Sequence, residues 1–182
     1  MDEKQKNKLK NIKLLVMDVD GTLTDSSMYY TSDGDVMKKF STRDGMGIDL
    51  MHKRGFQTAI LTSETNLMVA KRAEKLNIKN VIFGARQKDI ALKNLAQELS
   101  VKLEEIAYIG DDLNDIPAIK IAGFSACPND ASDYVKNLVD YVCIKSGGNG
   151  AVRELIEMIF TSQEIPLEWI AWFLAYSTNV IN

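Results

Sequence analysis

Short apolar runs that end at polar, turn-forming residues recur along this chain of 182 residues. Runs of four or five apolar residues with such ends are typical of strands that are buried on both faces of a sheet. The pattern predicts six of these strands, at residues 14–17, 58–61, 81–83, 106–109, 124–127 and 141–144. We expect the last of them at an edge of the sheet.

Between these strands the apolar residues recur every three or four positions, which indicates helices. The pattern predicts helices at residues 44–53, 66–76, 89–99, 115–121, 131–138 and 151–160. Gly55 suits the C-terminal cap of the first helix, and Pro117 suits the first turn of the fourth. Strands that alternate with helices predict an α/β fold, with a doubly wound, mainly parallel sheet and helices on both faces.

One segment departs from this alternation. Residues 27–40 contain two short strand-like runs around Ser32-Asp33-Gly34-Asp35, which predicts a small β-hairpin inserted into the fold. We expect a single domain over residues 1–182, since two domains would each be small. Residues 1–11 form an N-terminal extension, and the apolar tail at residues 161–182 is expected to pack against the core or a neighbouring subunit.

Composition excludes several classes of function. The formal net charge of −3 and pI of about 5.3 argue against a nucleic-acid surface. Two cysteines, Cys127 and Cys143, fit buried thiols in a reducing compartment. The chain shows neither a signal peptide nor a run of the roughly 18 apolar residues that span a bilayer. We therefore expect a cytoplasmic protein with no membrane span.

Acidic residues follow two of the predicted strands. Asp18 and Asp20 come after the first strand, and Asp111 and Asp112 come after the fourth. The carboxyl ends of parallel strands meet at one edge of the sheet, where ligands bind in such folds. Carboxylates gathered there need a cation, and all-oxygen ligands favour Mg²⁺. We expect Asp18, Asp111 and the main-chain carbonyl of Asp20 to hold it.

This arrangement predicts a Mg²⁺-dependent phosphatase. The Asp18 carboxylate can attack phosphorus and form an acyl phosphate, which splits hydrolysis into two easier steps. Asp20 can protonate the leaving alkoxide and later take a proton from the attacking water. Thr62 and Lys88, which follow the second and third strands, can supply a hydrogen bond and positive charge to the phosphoryl oxygens.

These residues resemble the motifs of the haloacid dehalogenase-like phosphatases. Thr62 and Lys88 match the second and third motifs. The first and fourth motifs match Asp18-Val19-Asp20-Gly21-Thr22-Leu23-Thr24-Asp25 and Gly110-Asp111-Asp112-Leu113-Asn114-Asp115. The resemblance implies the roles given above, and it implies that Asp112 and Asp115 support the metal ligands.

The spacing of the motifs leaves no room for a cap domain. Only one hairpin and one helix are predicted between Asp20 and Thr62, and only one helix and one strand between Thr62 and Lys88. A reactive acyl phosphate still needs shielding from bulk water. We therefore expect another subunit to cover the site, and hence a homo-oligomer.

The capless form resembles the 3-deoxy-D-manno-octulosonate (Kdo) 8-phosphate phosphatase family, whose members are tetramers with hairpins that meet in a central barrel. The matching segments are residues 29–34, 38–49 and 147–154. The resemblance implies Kdo 8-phosphate as substrate, within lipopolysaccharide biosynthesis. It also implies that the sugar acid lies among Lys38, Arg43, Asp44 and Arg153.

The residues after Thr62 keep a second substrate open. Family members often have Gly-Arg there, whereas this chain has Ser63 and Glu64. Glu64 can accept hydrogen bonds from sugar hydroxyls. Together with Lys75, it resembles the branch that acts on nine-carbon acids of the sialic acid type, such as 2-keto-3-deoxynononate or N-acylneuraminate 9-phosphate.

Three other functions compete with a phosphatase, and the weakest of them is a phosphotransferase that acts on two sugars. Receiver-type signalling modules also use Asp, Thr and Lys around Mg²⁺, but their acceptor Asp follows the third strand, where this chain has Gly84-Ala85-Arg86. A non-catalytic oligomerisation partner of a sugar-nucleotide transferase is the more distant alternative. The complete acidic set favours the enzyme.

Overall fold

A six-stranded parallel sheet forms the centre of the protein. The computed structural model describes residues 1–166. The chain forms β1 (Leu14–Met17), the hairpin strands β2 (Tyr29–Thr31) and β3 (Gly34–Met37), β4 (Gln57–Leu61), β5 (Asn80–Ile82), β6 (Ile106–Ile109), β7 (Phe124–Cys127) and β8 (Tyr141–Val142). The sheet order is β5-β4-β1-β6-β7-β8, and every adjacent pair is parallel. β8 lies at an edge, as predicted.

Helices cover both faces of this sheet. They are α1 (Glu3–Leu9), α2 (Thr42–Lys53), α3 (Leu67–Lys75), α4 (Lys88–Glu98), α5 (Ile116–Ile119), α6 (Asp133–Lys136) and α7 (Ala151–Ser162), with 3₁₀ turns at Leu103–Glu105 and Leu113–Asp115. Alternate residues of β1 enter two separate cores. Leu15 and Met17 pack with residues of α2 and α7, whereas Leu14 and Val16 pack with residues of α4, α5 and α6. The doubly wound α/β fold is confirmed.

The N-terminal extension contains a helix that the sequence pattern did not predict. Asp2 caps α1: its carboxylate accepts from the Gln5 amide at 2.8 Å, and the Gln5 side chain accepts from the Asp2 amide at 2.9 Å. Lys8 forms an ion pair with Asp140 at 2.6 Å, and the Leu9 side chain is fully buried. The first nine residues are therefore part of the packed domain.

The other elements differ from prediction mainly at their ends. α2 begins at Thr42 because Ser41 caps it, two residues before the predicted start. α6 and β8 are shorter than predicted, and α7 extends to Ser162. The helix predicted at residues 115–121 consists of a 3₁₀ turn followed by α5, with Pro117 in its first turn. Most of the apolar tail, residues 167–182, lies outside the described residues.

The inserted hairpin leaves apolar side chains in solvent. Met28, Tyr30, Val36 and Met37 are each more than half exposed. The segments that flank the hairpin meet at a bridge between Thr24 and Phe40. Apart from this hairpin, residues 1–166 contain no insertion that could serve as a cap domain. None of the helices within these residues has the length and apolar character needed to cross a bilayer.

Candidate active site

The predicted functional residues lie at the carboxyl edge of three neighbouring strands. Asp18 follows β1, Thr62 follows β4 and Asp111 comes two residues after β6. β1 pairs with both β4 and β6, so the three strand ends lie side by side. A cavity of about 570 Å³ opens there, lined by Asp18, Asp20, Ser26, Met28, Thr62, Ser63, Glu64, Asp111, Asp112, Leu113 and Asn114.

Lys88 lies beneath this cavity and is completely buried. Its Nζ lies 2.6 Å from Asp18 Oδ1 and 2.6 Å from Asp115 Oδ1. Burial alone would lower the pKa of Lys88, but the two carboxylates outweigh it and raise that pKa above its usual value. The ammonium group is therefore charged, and it holds the Asp18 carboxylate in place.

Asp115 anchors both Lys88 and the loop after β6. In addition to Lys88, its Oδ1 accepts a hydrogen bond from the Tyr108 hydroxyl at 2.5 Å. Its Oδ2 accepts from the amides of Asp111 and Asp112, at 3.0 and 3.2 Å. Burial, and then the charge of Asp115, raises the pKa of Tyr108 well above its usual value, so the phenol stays protonated and donates.

Three carboxylates meet without enough positive charge to balance them. Oxygens of Asp18, Asp111 and Asp115 lie within 4.8 Å of one another. Burial, and then the charge of Asp115, raises the pKa of Asp18 to about 7. Burial, and then the charge of Asp18, raises the pKa of Asp111 to about 8. A cation bound here would relieve both effects.

The available oxygens fit a hard divalent ion. Both oxygens of Asp115 already accept hydrogen bonds, which leaves Asp18 and Asp111 as the carboxylate ligands. Asp111 Oδ1 is buried without a hydrogen-bond partner among the described residues. Such an orphaned oxygen is costly unless something binds it. Carboxylate oxygens with this charge suit Mg²⁺.

Two glycines let the loops around the ion site approach each other. Gly21 has φ +90°, and a Cβ atom on it would lie 1.9 Å from Asp111 Oδ2. A Cβ atom on Gly147 would lie 1.9 Å from the carbonyl oxygen of Gly21. The Gly148 amide donates to the Thr22 carbonyl at 3.0 Å. The glycine-rich segment at residues 147–150 thus supports the loop that carries Asp18 and Asp20.

Asp20 lies at the opening of the cavity, with its side chain 36% exposed. Its Oδ1 accepts a hydrogen bond from Lys38 Nζ at 2.5 Å. No described residue donates to its main-chain carbonyl, which leaves that oxygen available as a metal ligand. Lys38 is also a predicted substrate contact, and in the single chain its ammonium group pairs with Asp20.

The segment after β4 presents polar groups to the cavity. The Thr62 hydroxyl accepts a hydrogen bond from the Glu64 amide at 3.2 Å, which leaves its own hydrogen for an acceptor in the cavity. The Ser63 hydroxyl donates to the Ala85 carbonyl at 3.2 Å and accepts from Asn114 at 3.3 Å. Glu64 is exposed on the cavity wall.

Several residues predicted to bind substrate lie outside this cavity in the single chain. Arg43 and Arg153 line a separate groove of about 500 Å³, where Arg153 pairs with Glu157 at 2.7 Å. Asp44 is buried, and its carboxylate accepts from the amide of Arg153 at 2.8 Å and from that of Gly150 at 3.2 Å. These two bonds hold the start of α2 against the start of α7.

Lys75 lines a third groove, of about 310 Å³, together with Asp49 and Arg72. In the single chain it therefore does not meet Glu64, with which the sequence paired it.

The sequence analysis missed several residues of the site. Ser26 and Met28 line the cavity just beyond the first motif, and Asn114 lies within the fourth. Their positions next to predicted motifs could have identified them. Tyr108 gave no signal, because an aromatic residue within a strand is most often part of the core.

Comparisons with known proteins agree with this geometry. A sequence profile for haloacid dehalogenase-like hydrolases matches residues 81–155. The 3-deoxy-D-manno-octulosonate 8-phosphate phosphatase KdsC of Haemophilus influenzae is 40% identical over 156 residues, which cover 86% of this chain and 87% of that protein. The enzyme of Escherichia coli K12 is 36% identical over 86% of this chain and 83% of its own length. The chain belongs to this phosphatase family.

Solved structures support the assignment. The phosphatase superimposes with a TM-score of 0.91 on the 3-deoxy-D-manno-octulosonate 8-phosphate phosphatase of Moraxella catarrhalis, which was crystallised with magnesium, phosphate and a KDO molecule. That protein is 39% identical, and the match covers 95% of this chain and 99% of that one. The predictions of a capless haloacid dehalogenase-like fold and of a hydrolase that acts on phosphoric monoesters are confirmed.

Mg²⁺ should stabilise the phosphatase more as the pH rises. In the metal-free protein the contribution of these two carboxyl groups to stability is most favourable below their ordinary pKa of 3.8, and it is lost progressively as the pH rises to about 7 to 8. Binding requires the ionised carboxylates, so Mg²⁺ should raise Tm by several degrees near about pH 8.5 and by much less near about pH 6. Thermal unfolding with and without Mg²⁺ measures this difference.

Asp111→Asn removes one ligand and should abolish most of the Mg²⁺ effect. The matched control is Asp133→Asn, because the Asp133 side chain is 96% exposed and lies on α6, outside the cavity lining. It should keep the full shift in Tm. A shift that survives in Asp111→Asn, or one that does not change with pH, would contradict the ion site.

Proposed function

We propose that the protein hydrolyses the terminal phosphomonoester of a 3-deoxy-2-ulosonic acid phosphate, most specifically Kdo 8-phosphate, with Mg²⁺ as cofactor and through an aspartyl phosphate on Asp18. The observation that carries the proposal is the Asp18 carboxylate, held by Lys88 at 2.6 Å beside the unpartnered Asp111 oxygen. The identity of 36–40% to Kdo 8-phosphate phosphatases supports the choice of substrate.

The reaction follows from the positions of three side chains. The Asp18 carboxylate attacks phosphorus while the bond from phosphorus to the sugar oxygen breaks, and Asp20 gives its proton to the leaving oxygen. Water then attacks the aspartyl phosphate and passes a proton to Asp20, which releases phosphate and restores Asp18. Thr62 donates a hydrogen bond to a phosphoryl oxygen. Mg²⁺ would supply positive charge that lets the anionic nucleophile approach an anionic phosphate.

Asp18→Asn should reduce phosphate release from Kdo 8-phosphate by at least about 10³-fold, because an amide is a far weaker nucleophile than a carboxylate. A phosphate-release assay measures the loss, and circular dichroism checks that the variant is folded. Asp133→Asn carries the same change at an exposed site and should keep wild-type activity. Full activity in folded Asp18→Asn would refute the assignment of Asp18 as the nucleophile, whereas no phosphate release from the wild type would favour the non-catalytic alternative.

We propose that Glu64, on the cavity wall beside Ser63, recognises the sugar by accepting hydrogen bonds from the sugar's hydroxyl groups. The nine-carbon substrates remain the alternative, since Glu64 and Lys75 favour that branch. The structure of a single chain separates these two residues into different cavities, so a joint contact would require a second copy.

Kdo 8-phosphate should have a kcat/KM at least about tenfold above those of 2-keto-3-deoxynononate and N-acylneuraminate 9-phosphates. Glu64→Ala should lower kcat/KM on the preferred sugar by about tenfold, while leaving phenyl phosphate unaffected. Glu74→Ala, at an exposed position of α3 outside the cavity, is the matched control. Preference for a nine-carbon acid would select the alternative, and equally low values on all three would reject the sugar-acid class.

We further propose that the active form is a homotetramer in which another copy completes the site. No Lys or Arg is among the described residues that line the cavity, yet a sugar acid carries a carboxylate that a cation would bind. Arg43, Lys75 and Arg153 line grooves elsewhere and are available to a neighbouring copy. The exposed apolar hairpin offers a surface for association.

Tyr30→Glu places a charge in this apolar surface and should dissociate the oligomer in sedimentation velocity experiments. Tyr134→Glu, at a similarly exposed tyrosine on α6, should leave it assembled. A monomeric wild type, or unchanged assembly in Tyr30→Glu, would contradict the proposal. A cytoplasmic location and the absence of nucleic-acid partners remain predictions from the sequence.

A further inference from the structure

We propose that Lys38 is a positioning residue: by donating to Oδ1 of the Asp20 carboxyl group, it holds that group, with the proton on Oδ2, in the geometry needed for proton transfer to the leaving oxygen. The inference rests on the proposed function, in which Asp20 is the general acid. It assigns Lys38 to the reaction itself rather than to sugar recognition. Lys38, which directly follows β3, would then act in the active site of its own chain.

The ammonium group of Lys38 is buried, and its charge is compensated by Asp20. Its side chain is only 2% exposed, and its Nζ lies 2.5 Å from Asp20 Oδ1. A buried ammonium group is costly unless a carboxylate pairs with it. Lys38 therefore has little freedom to turn toward a ligand in the cavity without losing that compensation.

A second contact fixes the position of Lys38. Its Nζ lies 4.0 Å from Asp35 Oδ2, and the same oxygen accepts a hydrogen bond from the Asn66 side chain at 3.0 Å. Asn66 in turn caps α3, where its Oδ1 accepts from the Met68 amide at 2.8 Å. The ammonium group is thus tied to the hairpin and to a helix terminus at once.

Asp20 has few other restraints. Its Oδ2 has no hydrogen-bond partner among the described residues, and Lys38 is the cation that pairs with it there. Without Lys38 the carboxylate could rotate away from the leaving oxygen. Proton transfer requires a donor within hydrogen-bond reach, and a displacement of about 1 Å can cost about 10²-fold in rate. The proton that reaches the leaving oxygen comes from Asp20 and not from Lys38.

The test uses a series of substituted phenyl phosphates whose phenols differ in acidity. General acid catalysis matters most when the leaving phenol is least acidic. In Lys38→Met, kcat/KM should fall about tenfold more for the least acidic phenol than for the most acidic one. A role confined to anchoring the hairpin would lower all the values in parallel. Lys38→Gln, which is shorter and polar, is the second variant if Lys38→Met does not fold.

Two further variants separate this inference from the proposed function. Lys39→Met removes the next lysine, which is 49% exposed and pairs with Asp25 at 3.2 Å, and it should keep the wild-type dependence on the leaving group. Asp20→Asn should show the same steepened dependence as Lys38→Met. If Asp20→Asn steepens the dependence of kcat/KM on the acidity of the leaving phenol and folded Lys38 variants do not, only the inference about Lys38 fails. If Asp20→Asn does not steepen it, the general-acid role fails as well.

Discussion

The buried ammonium group of Lys88, held between the carboxylates of Asp18 and Asp115, is the interaction on which the site depends. A lysine that is completely buried is tolerated only with such partners, and loss of Lys88 itself would leave the carboxylates of Asp18 and Asp115 buried without a cation. The three residues belong to the end of β1, the start of α4 and the 3₁₀ turn after β6. One ion-pair network therefore fixes three segments that are distant in the sequence.

The same network explains why the site requires a divalent ion. Lys88 is one positive charge among the carboxylates of Asp18, Asp111 and Asp115, and burial together with this imbalance raises the pKa values of Asp18 and Asp111. Asp115 uses both oxygens to hold protein groups, so it fixes the loop rather than offering itself to an ion. Within this cluster of described residues, charge is thus left unbalanced where the ion would bind.

The sequence predicted the features that follow from strand order. It did not predict the contacts of long side chains, or which groove of the single chain each candidate residue lines. Asp18, Thr62 and Asp111 could be placed together because parallel strands end at one edge of the sheet. The contact between Lys38 and Asp20 could not be predicted, because a flexible side chain can reach several partners from the end of a hairpin strand. Helix α1 was missed because its seven residues contain one apolar position, Leu9. The family resemblance grouped Arg43 and Arg153 with Lys38 and Asp44, and it paired Lys75 with Glu64. In the single chain Arg43 and Arg153 line one groove and Lys75 lines another, and neither groove is the cavity that Glu64 lines.

The central claim is that acidic side chains from two strand ends share one divalent ion beside the nucleophile. Anomalous diffraction from crystals soaked with Mn²⁺, used in place of Mg²⁺, tests it most directly. The account predicts one peak at about 2.1 Å from carboxylate oxygens of Asp18 and Asp111, with Asp115 still bound to Lys88. The absence of a peak at this position would contradict the account, as would an ion bound to Asp115 in place of Lys88.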